Sequence, residues 1–224
     1  MVKFLASCCE LVRHPNPVGP RERDGVVLLH GLMGHSILMR PIRSRLARLG
    51  YRVRNWSYWS LPYAIETHAN RLRDDVLDWW HSADLDRIHF VGHSMGGIII
   101  RSLLGNAMLP VESMERVGNV VQLVPPNHGS PIATRVYRRG IKFRALRDLA
   151  DTEGSFVTAL PDPSADFCMG ILAASRDRIV PLANTPLQQA TDYRVIPAGH
   201  TTILFRRSTV RLVGHFVQHG SFGG

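Results

Sequence analysis

The residues with the clearest chemical potential are Gly92-His93-Ser94-Met95-Gly96-Gly97, set between an apolar run, Ile88-His89-Phe90-Val91, and a segment carrying Ile98, Ile99, Ile100, Leu103 and Leu104. A serine at a sharp strand-to-helix turn has its Oγ pushed out beyond the sheet, and flanking glycines leave room where a Cβ would strike the neighbouring strand or helix. Ser94 is therefore the candidate nucleophile. A serine hydroxyl is a poor nucleophile at its own pKa, so acyl transfer needs a base within hydrogen-bond reach and a third group that fixes the tautomer of that base. Downstream, Asp177 follows one apolar run and His200 another, both at the C-terminal edge where Ser94 emerges, so Asp177 is the expected acid and His200 the expected base. Asp166 and Asp192 sit at the opposite ends of their runs. His215 and His219 fall on or after a terminal helix, and His30 and His93 belong to strand-end motifs beside the site. The oxyanion of a tetrahedral intermediate needs fixed donors. The backbone N–H of Met95 is one candidate, and that of Leu32, in His30-Gly31-Leu32-Met33-Gly34, is the other.

The elements that must carry these residues alternate. From Gly25, short apolar β-branched runs are separated by segments of helical period, the pattern of parallel strands joined by crossover helices. Gly25-Val26-Val27-Leu28-Leu29-His30 is continuously apolar, as in a strand covered on both faces. Leu38, Ile42, Leu46 and Leu49 predict a helix ending near Gly50, and a strand is expected from Tyr51 to about Tyr58. Ile65, Ala69, Leu72, Val76 and Trp79 predict a helix after Pro62. Strands are expected over 87–92, 117–124, 169–174 and 193–196, and Val210, Val213, Phe216 and Val217 mark a closing amphipathic helix. Between Pro125 and Phe167 the rhythm is lost. A stretch of that length without a strand reads as a functional insertion such as a lid, with a basic helix-like piece around Ile132 to Leu149.

With these motifs the chain resembles a compact α/β-hydrolase of the bacterial lipase and esterase kind. The resemblance spans roughly Gly25 to His219 and rests on His30 to Gly34, on Gly92 to Gly97, on Pro126-Asn127-His128-Gly129-Ser130, and on the Asp177 and His200 loops, in the chain order serine, acid, histidine. It implies one α/β-hydrolase domain over 1–224 with its core at about 25–219. The sheet would be minimal and mostly parallel, with about six strands, helices on both faces and a short lid at about 126–167. Only some 24 residues precede Gly25, so most of the family's first two strands should be missing. The resemblance assigns an oxyanion donor to Leu32 and a pocket-shaping role to His128. Met33, His93 and Tyr58 are expected to line the substrate pocket. Trp56, Tyr58 and Trp59 suit either an acyl pocket or core filling.

The implied activity is hydrolysis of lipid or medium-chain carboxylic esters through an acyl-enzyme. A transferase or amidase using the same three residues, or a non-catalytic relative, are the alternatives. No metal or organic cofactor is expected, because neither a Cys/His ligand cluster nor a phosphate-cradling glycine loop occurs. The formal net charge of +9 comes almost wholly from arginine, and no nucleic-acid-binding motif accompanies it, so no nucleic-acid partner is expected. Arg135, Arg138, Arg139, Lys142, Arg144 and Arg147 alternate with Ile132, Val136, Ile141, Phe143 and Leu146 in the lid. That pattern suits peripheral contact with an anionic lipid surface, or a lid that shows its charges to water. Three cysteines, Cys8, Cys9 and Cys168, are too few for a disulfide framework. No run of 18 apolar residues occurs, so no transmembrane segment is expected. Met1 to Cys8 resembles a lipoprotein cleavage box with too short an apolar core, so a cytoplasmic location is expected and export stays open.

Overall fold

The computed structural model describes residues 23–163 and 166–223; the Met1 to Cys8 segment lies outside them. β1 (Asp24–Leu29) is buried along its whole length. Its alternate side chains feed two cores. Val27 and Leu29 join one apolar cluster, and Val26 and Leu28 join another on the opposite face. That two-sided burial is why the run is apolar throughout instead of alternating.

The remaining strands are β2 (Arg52–Trp56), β3 (Arg87–His93), β4 (Val117–Leu123), β5 (Met169–Ala174) and β6 (Asp192–Ile196). They pair in the order β2-β1-β3-β4-β5-β6, and every pairing is parallel. The helices are α1 (Arg40–Arg48), α2 (Ile65–Ser82), α3 (Met95–Gly105), α4 (Val111–Met114), α5 (Pro131–Arg138), α6 (Arg144–Asp148), α7 (Phe156–Ala159) and α8 (Arg207–His219). α2 and α3 pack their apolar residues with Phe90 on one face, and α1 and α8 theirs with Val91 and Phe216 on the other. Phe90 and Phe216 are fully buried, and truncating either to alanine should cost roughly 3–5 kcal/mol.

Four expectations shift. β2 ends at Trp56, and Tyr58 turns back so that its hydroxyl donates to the carbonyl of His30. Trp80, not Trp79, continues the buried stripe of α2, four residues after Val76. The basic piece from Ile132 to Leu149 is two short helices, α5 and α6, broken at Gly140 with φ 103°. Ser130 bridges to Ala150 and its N–H donates to Leu149 O at 2.8 Å, which closes this helical hairpin at its base. Cys168, just ahead of β5, is disulfide-bonded, so the low cysteine count excludes a framework of bridges but not a single one.

Candidate active site

Ser94 links β3 to α3 with φ 52° and ψ −123°, a costly backbone state for a residue bearing a Cβ. Its N–H donates to Leu123 O at 2.8 Å and its carbonyl accepts from Gly97 N at 2.9 Å, so strand and helix both clamp the turn. Two glycines make the crossing possible. A Cβ on Gly92 would sit 2.5 Å from Gly97 N, and one on Gly96 would sit 2.7 Å from the carbonyl oxygens of Leu29 and His30.

Asp177 follows β5 and His200 follows β6, so parallel strands deliver both to the edge where Ser94 stands. The Asp177 side chain is 1% exposed. Its Oδ1 accepts the N–H groups of Ile179 at 2.8 Å and Val180 at 2.9 Å, and its Oδ2 accepts His200 Nδ1 at 2.7 Å. Burial alone would raise this carboxyl, but the bond and charge of His200, with the Val180 and Ile179 donors, outweigh burial and hold it below the usual carboxylate value. A carboxylate only accepts, so Nδ1 of His200 carries a proton, and in the neutral form of the ring the lone pair falls on Nε2.

His93 sits beside this imidazole, with ring centroids 5.1 Å apart. Its Nε2–H donates to the carbonyl of His200 at 2.9 Å, which fixes the backbone of the His200 loop. Burial, followed by the charge of His200, pushes the pKa of His93 down to about 3, so this link stays neutral. Among the described residues Ser94 Oγ makes no hydrogen bond, to His200 or otherwise. Both side chains instead open on one shared cavity.

The turn after β1 is closed by Gly34 N–H donating to Gly31 O at 3.0 Å, with Met33 left-handed at φ 53°. Met33 N–H is consumed by the hydroxyl of buried Ser60 at 2.8 Å. The N–H groups of Leu32 and Met95 have no acceptor among the described residues, so both remain available to an incoming oxygen.

The cavity measures about 470 Å³. The Gly31 to Gly34 turn lines one side of it. One wall comes from the β4–β5 segment, where Ile132, Val136, Ile141, Phe143 and Leu146 all face it, and another from Ile179 and Val180. Among the described residues no Asp, Glu, Lys or Arg lines it. Met33 and His93 are on its surface. Tyr58 is not: it stacks on His30 at 4.3 Å and meets His68 edge-on, so it supports the turn from behind. Trp59 is 79% exposed. His128 also lies off the cavity, its ring bonded to Pro186 O at 2.9 Å.

The sequence reading missed Ser60 and Arg101. Arg101 is buried on α3 and donates to the carbonyls of Asn127 (2.9 Å), Leu160 (2.6 Å) and Pro161 (3.2 Å) and to Asp162 Oδ1 (3.2 Å). The available signal was a lone cation inside Ile98-Ile99-Ile100-Arg101-Ser102-Leu103-Leu104, since a charge amid buried apolar residues must have partners. Ser60 carried no such signal. Among the described residues no group of three or more His, Cys, Asp or Glu could hold a metal ion, and no helix is long and apolar enough to cross a membrane.

A parallel six-stranded sheet with helices on both faces, and a serine at the β3–α3 elbow, defines the α/β-hydrolase fold, and this chain has it. Within that class, residues 22–127 match the family described as "Putative serine esterase (DUF676)". Among solved structures the chain is similar to a lipase of Bacillus licheniformis, at 18% identity over 86% of this chain and 89% of that one, TM-score 0.63. A metagenomic carboxyl esterase is 18% identical over 84% of this chain and 68% of its own, TM-score 0.62. A 2-hydroxy-6-oxo-6-phenylhexa-2,4-dienoate hydrolase from a Rhodococcus strain is 17% identical over 84% and 88%, TM-score 0.57. At these identities the shared feature is the fold, and the Rhodococcus enzyme is a reminder that one fold carries more than one substrate class.

Proposed function

We propose that this protein is a serine carboxylic-ester hydrolase, an esterase or lipase, acting through Ser94, His200 and Asp177. The observation that carries the reading is the His200–Asp177 pair, joined at 2.7 Å on the cavity into which Ser94 opens. In the proposed cycle Ser94 Oγ attacks the ester carbonyl as its proton passes to His200 Nε2. The carbonyl oxygen becomes an oxyanion and accepts the N–H groups of Leu32 and Met95. Collapse of the tetrahedral intermediate expels the alcohol, which takes the proton back from the imidazolium. Water, deprotonated by the same Nε2, then attacks the acyl-enzyme, and the acid and free Ser94 follow. Asp177 holds the imidazole in the required tautomer and stabilises its transient positive charge.

The 126–167 segment serves in this reading as the cap of a single catalytic domain, and its apolar side chains as the acyl subsite. An uncharged cavity of this lining favours a medium-length hydrocarbon chain over a charged one. The family match of residues 22–127 supports the ester bond over other acyl substrates.

A fluorophosphonate probe should label the native protein and leave Ser94→Ala unlabelled. Equal labelling of the two would overturn the assignment. A series of p-nitrophenyl esters, with and without lipid emulsion, should give kcat/KM rising from acetate to medium chains, and the emulsion arm divides lipase from esterase.

A further inference from the structure

We propose that the turn joining α5 to α6, with its cationic flanks, seats the mouth of the cavity on an anionic lipid surface. Arg135, Arg138, Arg139, Lys142, Arg144 and Arg147 are all exposed, and no acidic residue occurs between positions 131 and 147. Lys142 Nζ rests 4.2 Å from the centroid of the Tyr137 ring. Only Arg147 has a carboxylate within ion-pair range among the described residues, Asp148 at 3.4 Å, and Asp148 also accepts Ile65 N–H. The acids that follow are Asp151, which accepts Thr134 Oγ1, and exposed Glu153. Arg176 and Arg178, also exposed, flank Asp177 in the sequence, next to the cavity-lining Ile179.

Charge alone would suit any polyanion, and the apolar rim decides between them. Gly140, at φ 103°, has nothing within 4 Å of the position a Cβ would take, so the turn projects into open space. Ile141 beside it is 49% exposed and Phe143 is 42% exposed, and both also line the cavity. On the facing rim Met33 is 77% and Ile179 42% exposed. A nucleic acid would neutralise the arginines and leave these side chains in water. A bilayer takes both, with the apolar rim in the acyl boundary and the cations among the headgroups. Seated so, the cavity opens toward hydrocarbon. Binding to the surface is independent of the ester-hydrolase reading, which matters only for what the seated cavity then receives.

The test is co-sedimentation of the full chain with vesicles of phosphatidylcholine alone or mixed with phosphatidylglycerol. Binding is expected to the mixed vesicles only, and to weaken as salt is raised. Replacing Arg138, Arg139 and Arg144 together by glutamate, at exposed positions away from the cavity lining, should weaken it on the order of tenfold or more. Hydrolysis of a short soluble ester should be unchanged by that variant. Equal binding to both vesicle types, binding to neither, an unaltered triple variant, or displacement from mixed vesicles by duplex DNA would each overturn the proposal. The comparison of vesicle types and salt needs no variant, so it decides even if the triple variant misfolds. Fluorophosphonate labelling of the same preparations separates the two readings: intact labelling without vesicle binding sinks only the lipid seat, and the converse sinks only the hydrolase.

Discussion

The two oxygens of Asp177 have divided tasks. Oδ1 is held by two backbone N–H groups, which orients the carboxylate so that Oδ2 meets His200 Nδ1. An amide in its place faces a conflict. If its oxygen stays with the Ile179 and Val180 donors, its NH2 turns toward His200 and favours the tautomer protonated on Nε2, which cannot accept the Ser94 proton. Asp177→Asn should therefore lower kcat by about 10⁴-fold with KM little changed. Single-turnover acylation is the measurement, and a loss smaller than tenfold would remove Asp177 from the proposed cycle. Ser94, Asp177 and His200 were legible in the sequence because each follows an apolar run that must be a strand. The partners that position the site were not. Ser60 reaches Met33 from 27 residues away, and His93 reaches His200 across 107, and no local pattern encodes such contacts.

At the scale of elements, α3 ties the Ser94 turn to the β4–β5 segment that lines the cavity. Ser94 caps its N-terminus, and Arg101, two turns further on, grips both ends of the β4–β5 segment, at Asn127 on one side and at Leu160 to Asp162 on the other. Arg101→Met keeps the length and removes the donors, leaving buried carbonyls without partners. The expected cost is about 3–5 kcal/mol, read as a lowered urea midpoint. The expected functional signature is selective. Fluorophosphonate labelling of Ser94 should persist, while the preference for longer esters fades and the α5–α6 connection becomes the first site of protease cleavage. Uniform loss of activity at every chain length would refute Arg101 as the clasp. The strandless stretch between β4 and β5 was visible in the sequence as a loss of rhythm, but its helices α5 and α6 were not, because the break between them depends on Gly140 adopting a positive φ that residue type permits without requiring. Likewise the five apolar residues among the cations of the β4–β5 segment are legible as a stripe, and only the fold reveals that all five line the cavity.

Over the whole molecule, the parallel sheet gathers the site at one edge and buries neutral histidines beneath it, which sets its response to acid. His68 on α2 is fully buried, with neither ring nitrogen hydrogen-bonded among the described residues, between Tyr58 at 4.8 Å and Tyr63 at 5.8 Å. Burial, aided by the charges of Arg71 and His30, pushes its pKa down to about 4. As pH falls below the ordinary value of 6.5, the unfolded chain takes up protons that the folded protein refuses, so stability drops until about pH 4, where the native ring also titrates. His93 adds a drop of the same sign down to about 3. Asp177 acts lower: its native value is depressed, so the stability it contributes is complete above 3.8 and is lost only as pH falls through that native value. Between about pH 7.5 and about pH 5 His68 and His93 should thus each cost about 2 kcal/mol. His68→Phe keeps the edge contacts with both tyrosines and removes the two unpaired nitrogens. The variant should be at least as stable as the native protein near neutral pH, since no hydrogen bond is lost. Its urea-derived stability should fall by about 2 kcal/mol less on going to about pH 5, and parallel pH profiles for the two proteins would show that His68 does not remain neutral in the fold.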